Sequence, residues 1–225
     1  MIVDNKLSRH IKIQIAGVSS LEDSVRLINL GVDGLGFTLR LPSGNHDGLT
    51  EEKTKKIIAA LPPLVGTVLI TYITNPVEAV EFCRYLGVNT IQLHAPVEKG
   101  VMTEIKNLLP NVKIIKSVNV VNSSAIDESK NYAKEADAII LDTYDPKSGR
   151  HGATGMTHDW TISREIVETC PKPVILAGGL SPDNVAEAIK FVKPWGVDVH
   201  TGIENAAGTP NHEKAAAFVM SVLSV

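Results

Sequence analysis

Ile11-Lys12-Ile13-Gln14-Ile15-Ala16, then Gly17-Val18, then the helical pattern Ser19 to Asn29, is the stretch on which the fold turns. Alternating isoleucines make the first six residues a strand. Ser20 is placed to cap the following helix, and Asp23 lies three residues on, in its first turn. An open, doubly wound sheet favours a G-x-G-x-x-G turn after an early strand. Here the turn reads Ala16-Gly17-Val18-Ser19. The first βα unit therefore points to a closed barrel.

Outward from this unit the pattern repeats. Gly34 to Leu39, Val65 to Thr71, Thr90 to His94, Val112 to Val118, Ala138 to Asp142, Pro173 to Ala177 and Gly196 to Val199 read as seven further strands, each separated from the next by a helical pattern. Thr50 caps the second helix ahead of Glu51 and Glu52, and Asn75-Pro76 opens the third with Pro at its first position. Eight such units predict an α/β chain, a (β/α)8 TIM barrel, as one domain over residues 1–225. No Pro- or Ser-rich linker divides it.

Composition narrows the function classes. Of the 225 residues 44% are hydrophobic and 21% charged, and the formal net charge is -3. Without a basic cluster, nucleic acid is not an expected partner. The apolar runs are short, so no membrane span is expected, and residues 1–10 lack the apolar core of a signal peptide. These readings predict a cytoplasmic protein. Cys83 and Cys170 each sit alone in a helical pattern, which argues against a disulfide framework. Of the histidines, His46, His94, His151, His158 and His200 can approach the barrel mouth, but none has i, i+4 spacing on one helix. No metal and no cofactor is expected.

Strand parity locates the chemistry. Ile11, Ile13 and Ile15 share one face, which should pack on the outer helices, so Gln14 and Ala16 point into the barrel near its mouth. In the sixth strand Ile139 and Leu141 share the outer face, and Asp142 points inward at the C-terminal end, where barrel enzymes place their chemistry. For Lys116, near the end of strand five, both directions stay open. After strand seven, Leu176-Ala177-Gly178-Gly179-Leu180-Ser181-Pro182-Asp183-Asn184 opens a helix, and after strand eight comes Val199-His200-Thr201-Gly202-Ile203-Glu204. Glycines in these two loops let backbone N–H groups approach an anion, and this pair of loops is the usual phosphate site of the fold. Asp142 followed by a long loop bearing Gly149, Gly152 and Gly155 suggests a general acid or base under a cover.

Taken together, these segments resemble phosphoribosylanthranilate isomerase, the barrel enzyme of tryptophan biosynthesis. That family carries an inward Asp, G-G-T-G-x-x-F-D-W, L-A-G-G-L-x-P-x-N-V and V-D-V-S-S-G-V-E. Asp142, Gly152 to Trp160, Leu176 to Val185 and Val197 to Glu204 echo them. Gln92-Leu93-His94 matches its Q-L-H, and Gly31 to Phe37 its G-A-D-x-x-G-F. The resemblance implies an aldose–ketose isomerase performing an Amadori rearrangement on a phosphoribosyl amine, with Asp142 as general acid. Gly155, Gly178, Gly179, Thr201 and Gly202 would hold the phosphorylated substrate, with Gln14 and His94 nearby.

Three positions depart from the pattern. The family's base, a Cys in K-I-C-G, falls on Ala16, which cannot accept a proton. Its S-P-R loop, whose Arg clamps the anthranilate carboxylate, reads Leu41 to Gly48 without Arg, leaving Arg40 just upstream as a substitute. His200 stands where the family has Ser, and would add charge to the phosphate site. His46, Asp47 and His94 are the candidate replacements for the base. A relative acting on another phosphorylated sugar, or a barrel that binds a phosphometabolite without turnover, are the alternatives. The expected assembly is a monomer or homodimer.

Overall fold

The computed structural model describes residues 10–42, 49–145, 150–151, 157–205 and 208–225. Eight parallel strands close into a barrel: β1 Lys12–Ile15, β2 Gly34–Thr38, β3 Gly66–Thr71, β4 Thr90–Leu93, β5 Lys113–Asn119, β6 Ala138–Asp142, β7 Val174–Leu176 and β8 Gly196–Val199. β1 pairs with both β2 and β8, which completes the closure. The helices between and after them are α1 Leu21–Asn29, α2 Glu51–Ala60, α3 Pro76–Leu86, α4 Val101–Leu108, α5 Ser124–Tyr132, α6 Trp160–Thr169, α7 Val185–Val192 and α8 His212–Leu223. The eight βα units expected from the sequence are all present. After β6 the chain adds an antiparallel pair, Tyr144–Asp145 with Arg150–His151, that the sequence reading did not anticipate.

Local signals start the helices where they were read. The Ser20 hydroxyl accepts from the Asp23 amide at 3.0 Å, Thr50 from Lys53 at 3.1 Å, and Asn75 from Glu78 at 3.0 Å. Each satisfies one amide that the first turn leaves without a helical partner. α4 begins at Gly100, which has no side chain to do this. Instead the Glu135 carboxylate accepts from the Gly100 and Thr103 amides.

Parity separates two cores. Ile13, Ile15, Leu35, Phe37, Ile139, Leu141, Val197 and Val199 face outward and pack under the helices. Ala16, Val68, Ile70, Ile115, Ala138, Ile140, Ile175 and Ala177 fill the interior, with Trp195 packed against them. Both faces of the sheet are thus buried, as a parallel barrel requires. Phe37, Phe82 and Phe218 are fully buried, each contributing about 1.5–3 kcal/mol.

The N-terminal end of the barrel is fastened by a recurring device. The residue just before a strand reaches across to its neighbour: Asp33 accepts from the Ile13 amide at 2.9 Å, and Asp137 from the Ile114 amide at 2.9 Å. Asn89 accepts from the Thr67 amide at 3.0 Å. Lys12 and Lys106 complete the two aspartate sites at 2.7 and 2.8 Å. These contacts tie β1 to β2, β3 to β4 and β5 to β6.

Candidate active site

At the opposite end, inward parity brings polar side chains together. Asp142, the last residue of β6, is buried and accepts from the Thr143 amide at 2.8 Å. Burial pushes its carboxyl up to about 6, against the opposing pull of the Thr143 amide and of His200. Asp198 of β8 is a second buried carboxyl facing inward. Burial and the like charge of Asp142 push it up to about 7, while Gln14 and His200 pull it down. Two carboxyls thus share one dry space and repel each other's charge.

A hydrogen-bonded chain runs from this pair across the interior. Gln14, which Asp198 faces in the β1–β8 register, donates to the Gln92 carbonyl at 2.8 Å. Gln92 in turn meets His94 at 2.8 Å, and the His94 ring lies 5.5 Å from that of Tyr72. Gln14 and His94 are thus linked through Gln92, and Gln14 also bonds Asp198, which feels the charge of Asp142. Asp198 belongs to the same cluster and was not singled out from the sequence, and Gln92 entered only as part of Gln92-Leu93-His94. The parity argument that found Asp142 applies equally to Val197-Asp198-Val199.

Beside this cluster opens a cavity of about 670 Å³, lined by Thr157, Gly179, Leu180, Ser181, Asn184, Thr201 and Gly202. It lies between the loops after β7 and β8, at the start of α7. Gly178 and Gly179 both take left-handed φ, 78° and 66°. Asn184 laces the first loop, accepting from the Ser181 amide at 2.8 Å and donating to the Gly179 carbonyl at 2.9 Å. At Gly202 the loops approach so closely that a Cβ would fall 1.9 Å from the Leu180 carbonyl oxygen. The described lining has no Lys or Arg, so an anion there would be held by backbone N–H groups, hydroxyls and the helix end.

Two expected residues sit elsewhere, and Lys116, whose direction the sequence leaves open, also turns away from the mouth. Arg40 has left-handed φ, 54°, which turns its side chain to the outer rim. There it donates to Glu51 and Glu78, both at 2.8 Å, and lies 3.7 Å above the Phe82 ring. With its guanidinium so engaged, it is not placed to clamp a substrate carboxylate. His200 is not part of the cavity lining. Its ring lies against Gly17, and its Nε2 is 3.0 Å from the Glu204 carboxylate. Lys116 points outward beneath α5, with its ammonium 4.6 Å from the Tyr132 ring. His46, Asp47 and Gly155 lie outside the described residues.

Neither cysteine takes over the place of Ala16. Cys83 is buried in α3 among the outer core, and burial pushes its thiol up to about 12. Cys170 ends α6. His158 stands where the resembled pattern has Phe: half-buried beside Gly178 and bonded to Ser163 at 2.6 Å, it is pulled down to about 4 by desolvation. Among the described residues no group of three or more His, Cys, Asp or Glu is arranged to hold a metal ion.

Residues 13–221 match the family described as N-(5'-phosphoribosyl)anthranilate (PRA) isomerase. The chain belongs to this family. It is 35% identical to N-(5'-phosphoribosyl)anthranilate isomerase 2 of Methanosarcina mazei over 93% of this chain and 92% of that protein. It is 33% identical to the isomerase of Haloferax volcanii, over 92% of this chain and 91% of that one. The solved phosphoribosylanthranilate isomerase of Thermotoga maritima superposes with a TM-score of 0.82 at 27% identity, covering 96% of this chain and all of that one. A further phosphoribosylanthranilate isomerase, solved with reduced 1-(o-carboxyphenylamino)-1-deoxyribulose 5-phosphate, gives 0.80 at 25% identity, covering 96% of this chain and 100% of that one.

Proposed function

We propose that the chain is an aldose–ketose isomerase of tryptophan biosynthesis that carries out the Amadori rearrangement of N-(5'-phosphoribosyl)anthranilate. The observation that carries this reading is Asp142, an inward carboxyl whose pKa is pushed up to about 6, at the same end of the barrel as a cavity large enough for a small-molecule ligand. With that pKa roughly a tenth of the molecules carry the proton at pH 7, enough for a general acid. The phosphate would sit in the cavity, against the loop amides and the start of α7. Anchored there, the sugar would present its ring oxygen to Asp142. Protonation opens the ring to an iminium, and loss of the C2 proton then gives an enolamine that tautomerises to the ketose. Asp198, whose carboxyl its neighbour and burial push up to about 7, keeps its proton in about half of the molecules at pH 7 and would then donate to a sugar hydroxyl. No cofactor is needed for these steps.

The same reading makes the protein cytoplasmic, active as a monomer or homodimer, with no nucleic-acid or membrane partner. No helix among the described residues is long and apolar enough to cross a membrane. The test is turnover of phosphoribosylanthranilate by the purified chain and by Asp142→Asn. Turnover that falls at least 10²-fold in the variant supports the reading. Because Ala16 replaces the family's base, the competing reading is a barrel that kept the phosphate cavity and changed or lost its reaction. It predicts no turnover in either protein, with stabilisation by inorganic phosphate retained.

A further inference from the structure

Resting on that isomerase reading, we propose that His200 is the general base that removes the C2 proton, with Glu204 as the residue that positions its ring. β8 lies beside β1, and their register pairs Ile15 with Val199. The Ala16 amide donates to the Val199 carbonyl at 3.0 Å, so the next rung sets His200 directly beside Ala16. The position that cannot accept a proton and the imidazole are neighbours across one strand pair.

The ring also leans toward β1. Gly17 has left-handed φ, 78°, and a Cβ built there would lie 2.3 Å from His200 Nε2 and 2.5 Å from Cδ2. The imidazole therefore fills the space over the residue next to Ala16, and only glycine at 17 leaves room for it. Glu204 Oε1 lies 3.0 Å from Nε2, with both side chains mostly buried. The contact is electrostatic, between the edge of the ring and the carboxylate, and it holds the imidazole in place beside Ala16. This is the arrangement of a base held by an orienting carboxylate.

The acid faces the same space. His200 acts on the charge of both Asp142 and Asp198, which places the imidazole in electrostatic reach of the two inward carboxyls. The other described candidates are committed elsewhere. His94 is engaged with Gln92 and Tyr72, Asp198 is paired with Gln14 two residues deeper, and His212 is paired with Asp23 at 3.0 Å.

The proton balance closes. Asp142 gives a proton to the ring oxygen as the C1–O bond breaks, leaving a C1=N iminium. His200 takes the proton from C2; the C–H pair becomes the C1=C2 bond, and the C1=N pair returns to nitrogen. The imidazolium then gives its proton to C1, while the C2 hydroxyl returns one to Asp142 as the ketone forms. Both groups end as they began.

The test compares wild type, His200→Asn, Glu204→Gln and His200→Asn/Ala16→Cys by steady-state turnover of phosphoribosylanthranilate. Thermal melting and binding of inorganic phosphate serve as folding controls. His200→Asn is expected to lower kcat 10²–10⁴-fold with KM changed less than about 3-fold. Cys at position 16 is expected to restore at least 10-fold of that loss. Glu204→Gln is expected to lower kcat about 10-fold and move the acidic limb of the pH profile to lower pH, as loss of the partner carboxylate makes the ring less basic.

If His200→Asn keeps full kcat while Asp142→Asn is dead, the isomerase reading stands and the His200 assignment falls. A loss confined to KM and phosphate binding would likewise overturn the assignment. No turnover by the wild type would remove both.

Discussion

Lys116 offers the sharpest check of the strand parity on which the site assignment rests. A buried lysine with a lowered pKa has the signature of a catalytic base, yet here it lies on the outer face of β5. The residue is only 1% exposed, and its ammonium contacts the Ser117 carbonyl and the face of Tyr132. Burial pulls its pKa from 10.5 down to about 8, with Glu128 pulling the other way. At about 1.36 kcal/mol per unit, holding the proton in the folded state costs about 3 kcal/mol below pH 8. Lys116→Met fills a similar volume without the charge. After loss of the Ser117 and Tyr132 contacts, a net stabilisation of about 1–3 kcal/mol is expected at pH 7, or roughly 2–10 °C in Tm.

The sign of the pH dependence follows from the lowered pKa. Between about pH 8 and 10.5 the unfolded chain still holds the proton and the folded chain has released it, so the unfolded state binds more protons. Wild-type stability therefore rises with pH across that window relative to the variant, and the gap between them closes. Melting both proteins at intervals from pH 7 to 10.5 reads this directly, and turnover should be unchanged. A gap that stays flat, a less stable variant at pH 7, or a large loss of kcat would refute the outward placement.

Three further outcomes follow. Turnover should fall as pH rises through about 6, because Asp142 must be protonated to act as the acid, and Asp198→Asn should leave that limb nearly in place, because Asp198 is still neutral where Asp142 loses its proton; a pH–kcat series on both proteins checks it. Gly202→Ala forces a Cβ against the Leu180 carbonyl and should weaken inorganic-phosphate binding at least 10-fold by calorimetry, with the barrel still folded. Asn184→Ala removes two loop hydrogen bonds and should cost about 1–2 kcal/mol in a urea melt, together with weaker phosphate binding.

Where one face of a strand differs from the other in composition, the sequence was enough. Ile13 and Ile15 against Gln14 and Ala16, or Ile139 and Leu141 against Asp142, assign themselves. Ile114-Ile115-Lys116-Ser117 does not, because a barrel strand is buried on both faces and the alternation disappears. Parity also fails once the chain leaves the strand. Arg40 follows β2, and its left-handed φ rotates the guanidinium to the rim, which a count by twos does not foresee. His200 lies one residue beyond β8, and its meaning depends on what β1 presents beside it, a contact almost the whole chain away in sequence. Asp198 was legible by the same argument as Asp142, but the glycines that follow it drew the reading to the loop.

The Asp33, Asn89 and Asp137 fasteners fall on alternate strand boundaries, so they clasp the barrel as modules of two strands rather than as a continuous hoop. Seams without such a clasp, between β2 and β3 and between β4 and β5, are then the natural places to reopen the chain. A circular permutant cut at Pro63-Leu64 severs only a seam and keeps all three clasps, whereas one cut at Leu30-Gly31 splits a module. The first should assemble the more readily, and its mouth, built from the other ends of the same strands, should be none the worse.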